Sequence, residues 1–204
     1  MVLYDITPMV SPRLAVWPGD TAPHREVLLD LGQGDSVTLS TLHATVHLGA
    51  HADAPSHYAP AGGSIDQADL TRYLGCCQVV RVATVPGARV ARLPVPITEP
   101  RVLIATGSYP NPECFTEDFA ALDPSLIDGL HAAGVRLVGI DTPSVDLFAS
   151  KDLPTHGACL RHDIRILEGL VLAEVPAGVY ELIALPLRLE GFDASPVRAV
   201  LRSL

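Results

Sequence analysis

The chain has 204 residues, 48% of them hydrophobic, with a mean hydropathy of +0.30 and a formal net charge of -9 that includes a single lysine, Lys151. That length and apolar content support one domain over residues 1–204, and scattered arginines on an acidic chain leave no basic stripe for nucleic acid. No apolar run approaches the ~20 residues that cross a bilayer, and MVLYDITPMVSP carries no charged leader before an apolar core, so no membrane association and a cytoplasmic location are expected.

Eighteen prolines cut the chain into short elements. β-Branched and apolar runs at 2–6, 27–31, 37–47, 79–83, 102–106, 135–140 and 179–184 predict strands. Residues 116–133 carry Phe119, Leu122, Leu126, Ile127 and Leu130 at helical spacing, which predicts a helix, open to a break at Pro124, feeding the strand after Gly134. Many strands with one or two substantial helices indicate a mixed α/β or α+β domain. Cys76, Cys77, Cys114 and Cys159 match neither a thiolate metal knuckle nor a disulfide framework, and read as reduced, small apolar residues. Cys159 stands close enough to His156 in sequence to line a site.

Chemistry concentrates at residues 47–57, HLGAHADAPSH, where His47, His51, His57 and Asp53 fall within eleven residues. From Val37 the odd positions continue through His43 and His47 to Asp53 and His57. A chain that stays extended through Gly49 points them one way. Gly49 also permits a bend, and Pro55 holds Ala54 extended. An aspartate with several imidazoles suits zinc first, and manganese, iron or nickel, better than calcium or magnesium. The absence of cysteine favours an open catalytic site over a closed structural one. His43 is expected behind the site or in packing, and His24 and His131, which have no partner nearby in sequence, as satisfied surface or core residues. Asp141 and Asp146, flanking Thr142-Pro143-Ser144 after a predicted strand, are expected mainly to satisfy a turn.

The stretch HLGAHADAPSH resembles the His-x-Gly-[Thr/Ala]-His-x-Asp-x-Pro-x-His signature of the metal-dependent cyclase superfamily, and within it the bacterial kynurenine formamidases. Trp17-Pro18-Gly19-Asp20, the segment from Gly139 to Asp146, Leu153-Pro154-Thr155-His156, Ile166-Leu167-Glu168 and the tail ALPLRLEGFDASPVRAVL resemble that family in the same order. The resemblance implies a single domain with a central mixed sheet or partial barrel flanked by helices, a swivelling β/β/α-like fold. It also implies hydrolysis of N-formyl-L-kynurenine to L-kynurenine and formate, as a homodimer acting on a small aromatic formamide. Two zinc ions, or manganese or another divalent metal, are implied: His47, His51 and Asp53 on one; Asp53, His156 and Glu168 on the other, with Glu168 also reaching the first. His57 matches the family's proton donor and acceptor, and Trp17 its substrate-contacting aromatic. Ala50 replaces the usual threonine, losing a hydroxyl and no ligand.

A geometric condition follows for the second ion. Twelve residues of straight helix rise ~18 Å, too far for His156 and Glu168 to share an ion, so the chain must bend between them. No Gly-x-Ser-x-Gly elbow is present, which argues against the α/β-hydrolase solution to the same reaction. Two rival readings remain: a cyclic-amide hydrolase of the isatin type, and a metal-binding protein without catalysis. An extra histidine beyond the ligand set favours an enzyme over a binder.

Overall fold

The computed structural model describes residues 1–204. Its strands are β1 (Leu3–Asp5), β2 (His24–Leu29), β3 (Leu39–His43), β4 (His51–Asp53), β5 (Leu74–Arg81), β6 (Arg89–Val90), β7 (Arg101–Ala105) and β8 (Ala121–Leu122), then α1 (Pro124–Ala132), β9 (Leu137–Ile140), α2 (Pro154–Arg161), β10 (Arg165–Glu168), β11 (Gly178–Ile183), β12 (Ala194–Pro196) and β13 (Val200–Ser203). Nine strands form one sheet in the order β1-β13-β11-β5-β7-β9-β10-β4-β12. Its centre, β5-β7-β9-β10, is parallel, and both flanks are antiparallel. The central parallel strands β7 and β9 are near-continuous buried apolar runs, as expected where both faces are covered.

Laid flat, eight strand spacings of ~4.8 Å would hold the sheet's edges ~38 Å apart. Ile6, just past β1, nevertheless accepts the N–H of Val171, three residues past β10, at 2.9 Å across five intervening strands, and belongs with Ala52 of β4 to one cluster of 21 buried residues. The sheet therefore curls into a partial barrel around that cluster. On the other face α1 and α2 bury Ile127, Leu130 and Cys159 in a second cluster of 16 residues. This is the expected mixed α/β domain with flanking helices.

The structure corrects two predicted elements. Only the second half of 116–133 is helical, because Pro124 holds Asp123 extended, where its carboxylate accepts the Ser125 N–H at 2.9 Å and caps α1. Phe119 is buried from an irregular segment instead, and Ala121–Leu122 pairs with β6. The strand predicted over 37–47 ends at His43, and β3 pairs with β2 in a hairpin outside the main sheet. The chain then bends, with Gly49 at φ +56° and its missing Cβ only 2.8 Å from Pro8 Cγ. His47 thus lies outside any strand, and alternation does not align it with His51. His43 does not back the site: its Nε2 lies 2.7 Å from Glu26 and its ring stacks on His24 at 4.5 Å. Strand ends shift elsewhere too, with β5 beginning at Leu74 and the 27–31 run split between β2 and a 3-10 turn at Leu31–Gln33.

Candidate metal centre

Five side chains converge at one end of the sheet. His47 comes from the bend, His51 and Asp53 from β4, His156 from α2 and Glu168 from the last position of β10. β4 lies antiparallel to β10 with His51 opposite Glu168, which reduces a long sequence separation to one strand spacing. The required bend is present: α2 stops at Arg161, Asp163 takes φ 51°, and the chain returns as β10. All four side chains from β4, α2 and β10 are buried, and His47 is half-buried.

Asp53 sits at the centre. Its Oδ1 is 3.3 Å from His47 Nδ1 and 3.4 Å from His51 Nε2, and its Oδ2 is 3.4 Å from His156 Nε2. Glu168 completes the ring, with Oε2 3.4 Å from His51 Nε2 and Oε1 3.5 Å from His156 Nε2. These contacts leave His51 Nε2, His156 Nε2 and both Asp53 oxygens buried without a hydrogen bond. Such orphans are costly unless something else pairs them. An ion held by nitrogen and oxygen at ~2.0–2.1 Å in tetrahedral geometry spaces its ligands ~3.3–3.4 Å apart, which matches the observed contacts. The donor set therefore fits divalent cations, with Asp53 presenting one oxygen to each of two groups of ligands.

Each histidine's remote nitrogen is occupied, which fixes the tautomer that leaves the inner nitrogen free. His51 Nδ1 donates to the Gly49 carbonyl at 2.8 Å, His156 Nδ1 to Asp146 at 2.9 Å, and His47 Nε2 to Asp193 at 3.1 Å. Asp146 also accepts the backbone N–H groups of Thr155 and His156 at 3.1 Å, so it caps α2 while aiming His156. Its expected turn role is thus only part of its place. Asp193 was not found from the sequence. Nothing local marks it, and it reaches the site because β12 pairs with β4, placing Ala194 opposite Asp53.

Burial opposes charge throughout, yet attraction prevails. Burial lowers the pKa of His47, but the Asp53 carboxylate, with Asp193 and Glu168, lifts it to about 9. His156 rises well above the ordinary value against the same penalty, through Asp146, Asp53 and Glu168. Burial raises Asp53 and Glu168, and the surrounding imidazoles still hold both below the usual carboxylate range. Two buried carboxylates thus demand positive charge, which protons on histidine supply when no cation does. Asp146 falls to about 2, because bonds from His156 and the backbone outweigh its burial. Burial and nearby carboxylates push the Cys159 thiol up, so it packs as a neutral core residue.

The centre opens into a cavity of about 500 Å³ lined by His57, Trp17, Phe115, Tyr109 and Pro143 as well as by His47, His51, His156 and Glu168, with Asp53 buried beneath. Trp17 is half-buried, tilted 34° to Phe148 at 4.9 Å and edge-on to Phe115 at 5.6 Å. It is thus both a packed residue and a cavity wall. His57 is exposed, its ring 4.2 Å from that of His47 and its Nδ1 3.3 Å from Asp193. A nitrogen of His57 also lies within 4.8 Å of Asp53 and His156 ligand atoms, within reach of the cluster. Asp141 accepts the N–H groups of Thr106 and Gly107, tying the β7 and β9 ends together, as expected.

A curled mixed sheet carrying a buried His/Asp/Glu cluster under an aromatic cavity defines a metal-binding α/β protein. Residues 4–147 match the Cyclase family model, described as putative cyclase, and the chain belongs to that family. The match includes residues 47–57 and stops short of His156 and Glu168. Solved structures extend the likeness over 98% of the chain. One, described as a potential metal-dependent hydrolase with cyclase activity, has 28% identity, a TM-score of 0.83 and 96% of its own length covered. A predicted metal-dependent hydrolase from Bacillus stearothermophilus has 28% identity, a TM-score of 0.81 and 97% coverage. Isatin hydrolase A from Labrenzia aggregata shares the fold at 19% identity, with a TM-score of 0.78 and 93% coverage. No helix is long and apolar enough to cross a membrane.

Proposed function

We propose that this protein is an arylformamidase that hydrolyses N-formyl-L-kynurenine to L-kynurenine and formate, using two divalent ions, zinc first, held by His47, His51, Asp53, His156 and Glu168. The observation that carries the reading is the set of orphaned nitrogen and oxygen atoms facing one another at metal-ligand spacing beneath an aromatic cavity. The bound ions would supply positive charge that polarises a carbonyl and acidifies water. His57 is left to carry protons, since five other side chains already supply the ligand set. Asp193 Oδ2 lies 3.3 Å from its Nδ1 and orients the ring, so its other nitrogen can take up a proton and pass it to a departing aniline nitrogen. Trp17 and Phe115 offer an aryl ring apolar surface and edge contacts. The choice of a kynurenine substrate rests on the family resemblance of the signature and the Trp17-Pro18-Gly19-Asp20 turn.

A homodimer belongs to the same reading. The β2–β3 hairpin exposes Val27, Leu28, Leu29, Leu31, Val37, Leu39 and Leu42 at 37–62%. A lone two-stranded ribbon is marginal in water, so a second copy is the expected cover.

The deciding experiment mixes purified, metal-loaded protein with N-formyl-L-kynurenine and with isatin, followed by absorbance. Turnover of the formamide supports the proposal. Turnover of isatin alone replaces it with the cyclic-amide reading, and no turnover of either despite bound metal favours a binding protein.

A further inference from the structure

The cavity follows the carboxyl ends of the parallel strands, where open α/β sheets bind ligands. Glu168 closes β10 at one end of this row, and Arg81 closes β5 at the other. Both line the cavity, and Arg81 is its only lysine or arginine. Three strand spacings separate β10 from β5, ~14 Å at ~4.8 Å each. That span exceeds what the ligand cluster occupies, leaving room for a substrate body between metal and guanidinium.

Arg81 is held in an unusual way. Its Nη1 donates to the carbonyls of Leu172 at 3.0 Å, Ala173 at 3.2 Å and Val175 at 3.0 Å. Its Nε and Nη2 make no hydrogen bond and no carboxylate of the chain pairs with it. Arg89, the other arginine near the site, is by contrast paired with Asp146 at 3.2 Å. A guanidinium anchored by one nitrogen keeps a forked edge for bidentate carboxylate binding. The anchoring also removes side-chain freedom before any ligand arrives, which lowers the entropic cost of binding. A staple for the 172–175 loop accounts for Nη1 alone. It leaves Nε and Nη2, on an exposed residue that lines the cavity, without a partner in the chain.

We propose that Arg81 is a specificity-determining residue that binds a carboxylate at the far end of the substrate, so the site selects aromatic amides bearing an anionic side arm. The inference rests on the hydrolase reading for where the amide lies, and its test does not depend on turnover. Titration calorimetry of the metal-loaded protein would compare L-kynurenine with kynuramine, which lacks the carboxylate. A charged hydrogen-bonded pair corresponds to about 10- to 100-fold in affinity. The wild type should prefer L-kynurenine by that factor, Arg81→Met should abolish the preference, and Arg81→Lys should keep part of it. In turnover, Arg81→Met should lower the ratio of kcat/KM for N-formyl-L-kynurenine over formanilide by about the same 10- to 100-fold. Equal affinities in the wild type, or equal weakening of both ligands in Arg81→Met, would overturn the assignment and leave only the loop staple. Preference without hydrolysis would sink the hydrolase reading and keep Arg81; hydrolysis without preference would do the reverse.

Discussion

His57 differs from its neighbours in exposure and in what it faces. His51 and His156 are buried with their inner nitrogens unpaired, whereas His57 stands at the cavity surface with Asp193 at its Nδ1. His57→Ala should therefore retain the wild type's metal content by elemental analysis and lose about 10²- to 10⁴-fold in kcat, the usual worth of a positioned general acid–base. Loss of metal in that variant would make His57 a ligand. The protonation of His47 gives a second prediction. Its pKa in the metal-free fold is raised from 6.5 to about 9, so protonation stabilises the metal-free protein fully below pH 6.5, and that contribution is lost as pH rises through about 9. A metal ion needs the neutral ring and must expel the proton at any pH below about 9. Apparent metal affinity should climb with pH up to about 9, by about tenfold per unit for the His47 proton and more steeply where His156 also gives one up, and the His47 contribution then levels off. Competition titrations at several pH values would measure this, and a flat profile would contradict it.

At the scale of elements, the site depends on two backbone bends that hold β4 against β10. Gly169 follows Glu168 at φ +65°, and a Cβ there would stand 2.1 Å from the Gly49 carbonyl oxygen. That carbonyl orients His51 through Nδ1. Gly169→Ala should cost ~1–3 kcal/mol for the left-handed backbone alone, and the clash should also displace His51, weakening metal binding as well as lowering the melting temperature. A variant that melts early but binds metal normally would separate the two effects and refute this coupling. The lost half of the predicted helix has a comparable local cause. Periodicity in 116–133 is real, but Pro124 fits only at a helix start, and Phe119 and Leu122 satisfy the same apolar spacing from non-helical backbone. Apolar spacing does not distinguish those two outcomes when a proline interrupts it.

For the whole molecule, the tail and the hairpin differ in what covers them. The tail after Ile183 supplies β12 and β13, with Leu201 and Ala199 fully buried in the chain's own core. The β2–β3 hairpin gathers Val27, Leu28, Leu29, Leu31, Val37, Leu39 and Leu42 as exposed apolar side chains, while the tail leaves only Leu185, Leu187, Phe192 and the terminal Leu204 exposed. Leu42→Asp, placed where the side chain is 62% exposed, should leave the melting temperature of a monomer unchanged and shift sedimentation from dimer to monomer. A wild type that sediments as a monomer would refute the dimer reading.

The sequence alone determined the donor types, their spacing in residues 47–57 and most of the apolar runs that become strands. These depend on neighbours within a few residues, where side-chain chemistry and alternation suffice. His156 and Glu168 were reachable only by resemblance, since neither has a local partner that marks it. The tertiary structure alone decided how the ligands meet. Gly49 turns the chain where extension was one possibility, β10 lies beside β4, and β12 brings Asp193 to His47 and His57. Strand order and register are set by burying one core on each face of the curled sheet, and that free energy is a property of the whole chain rather than of any segment.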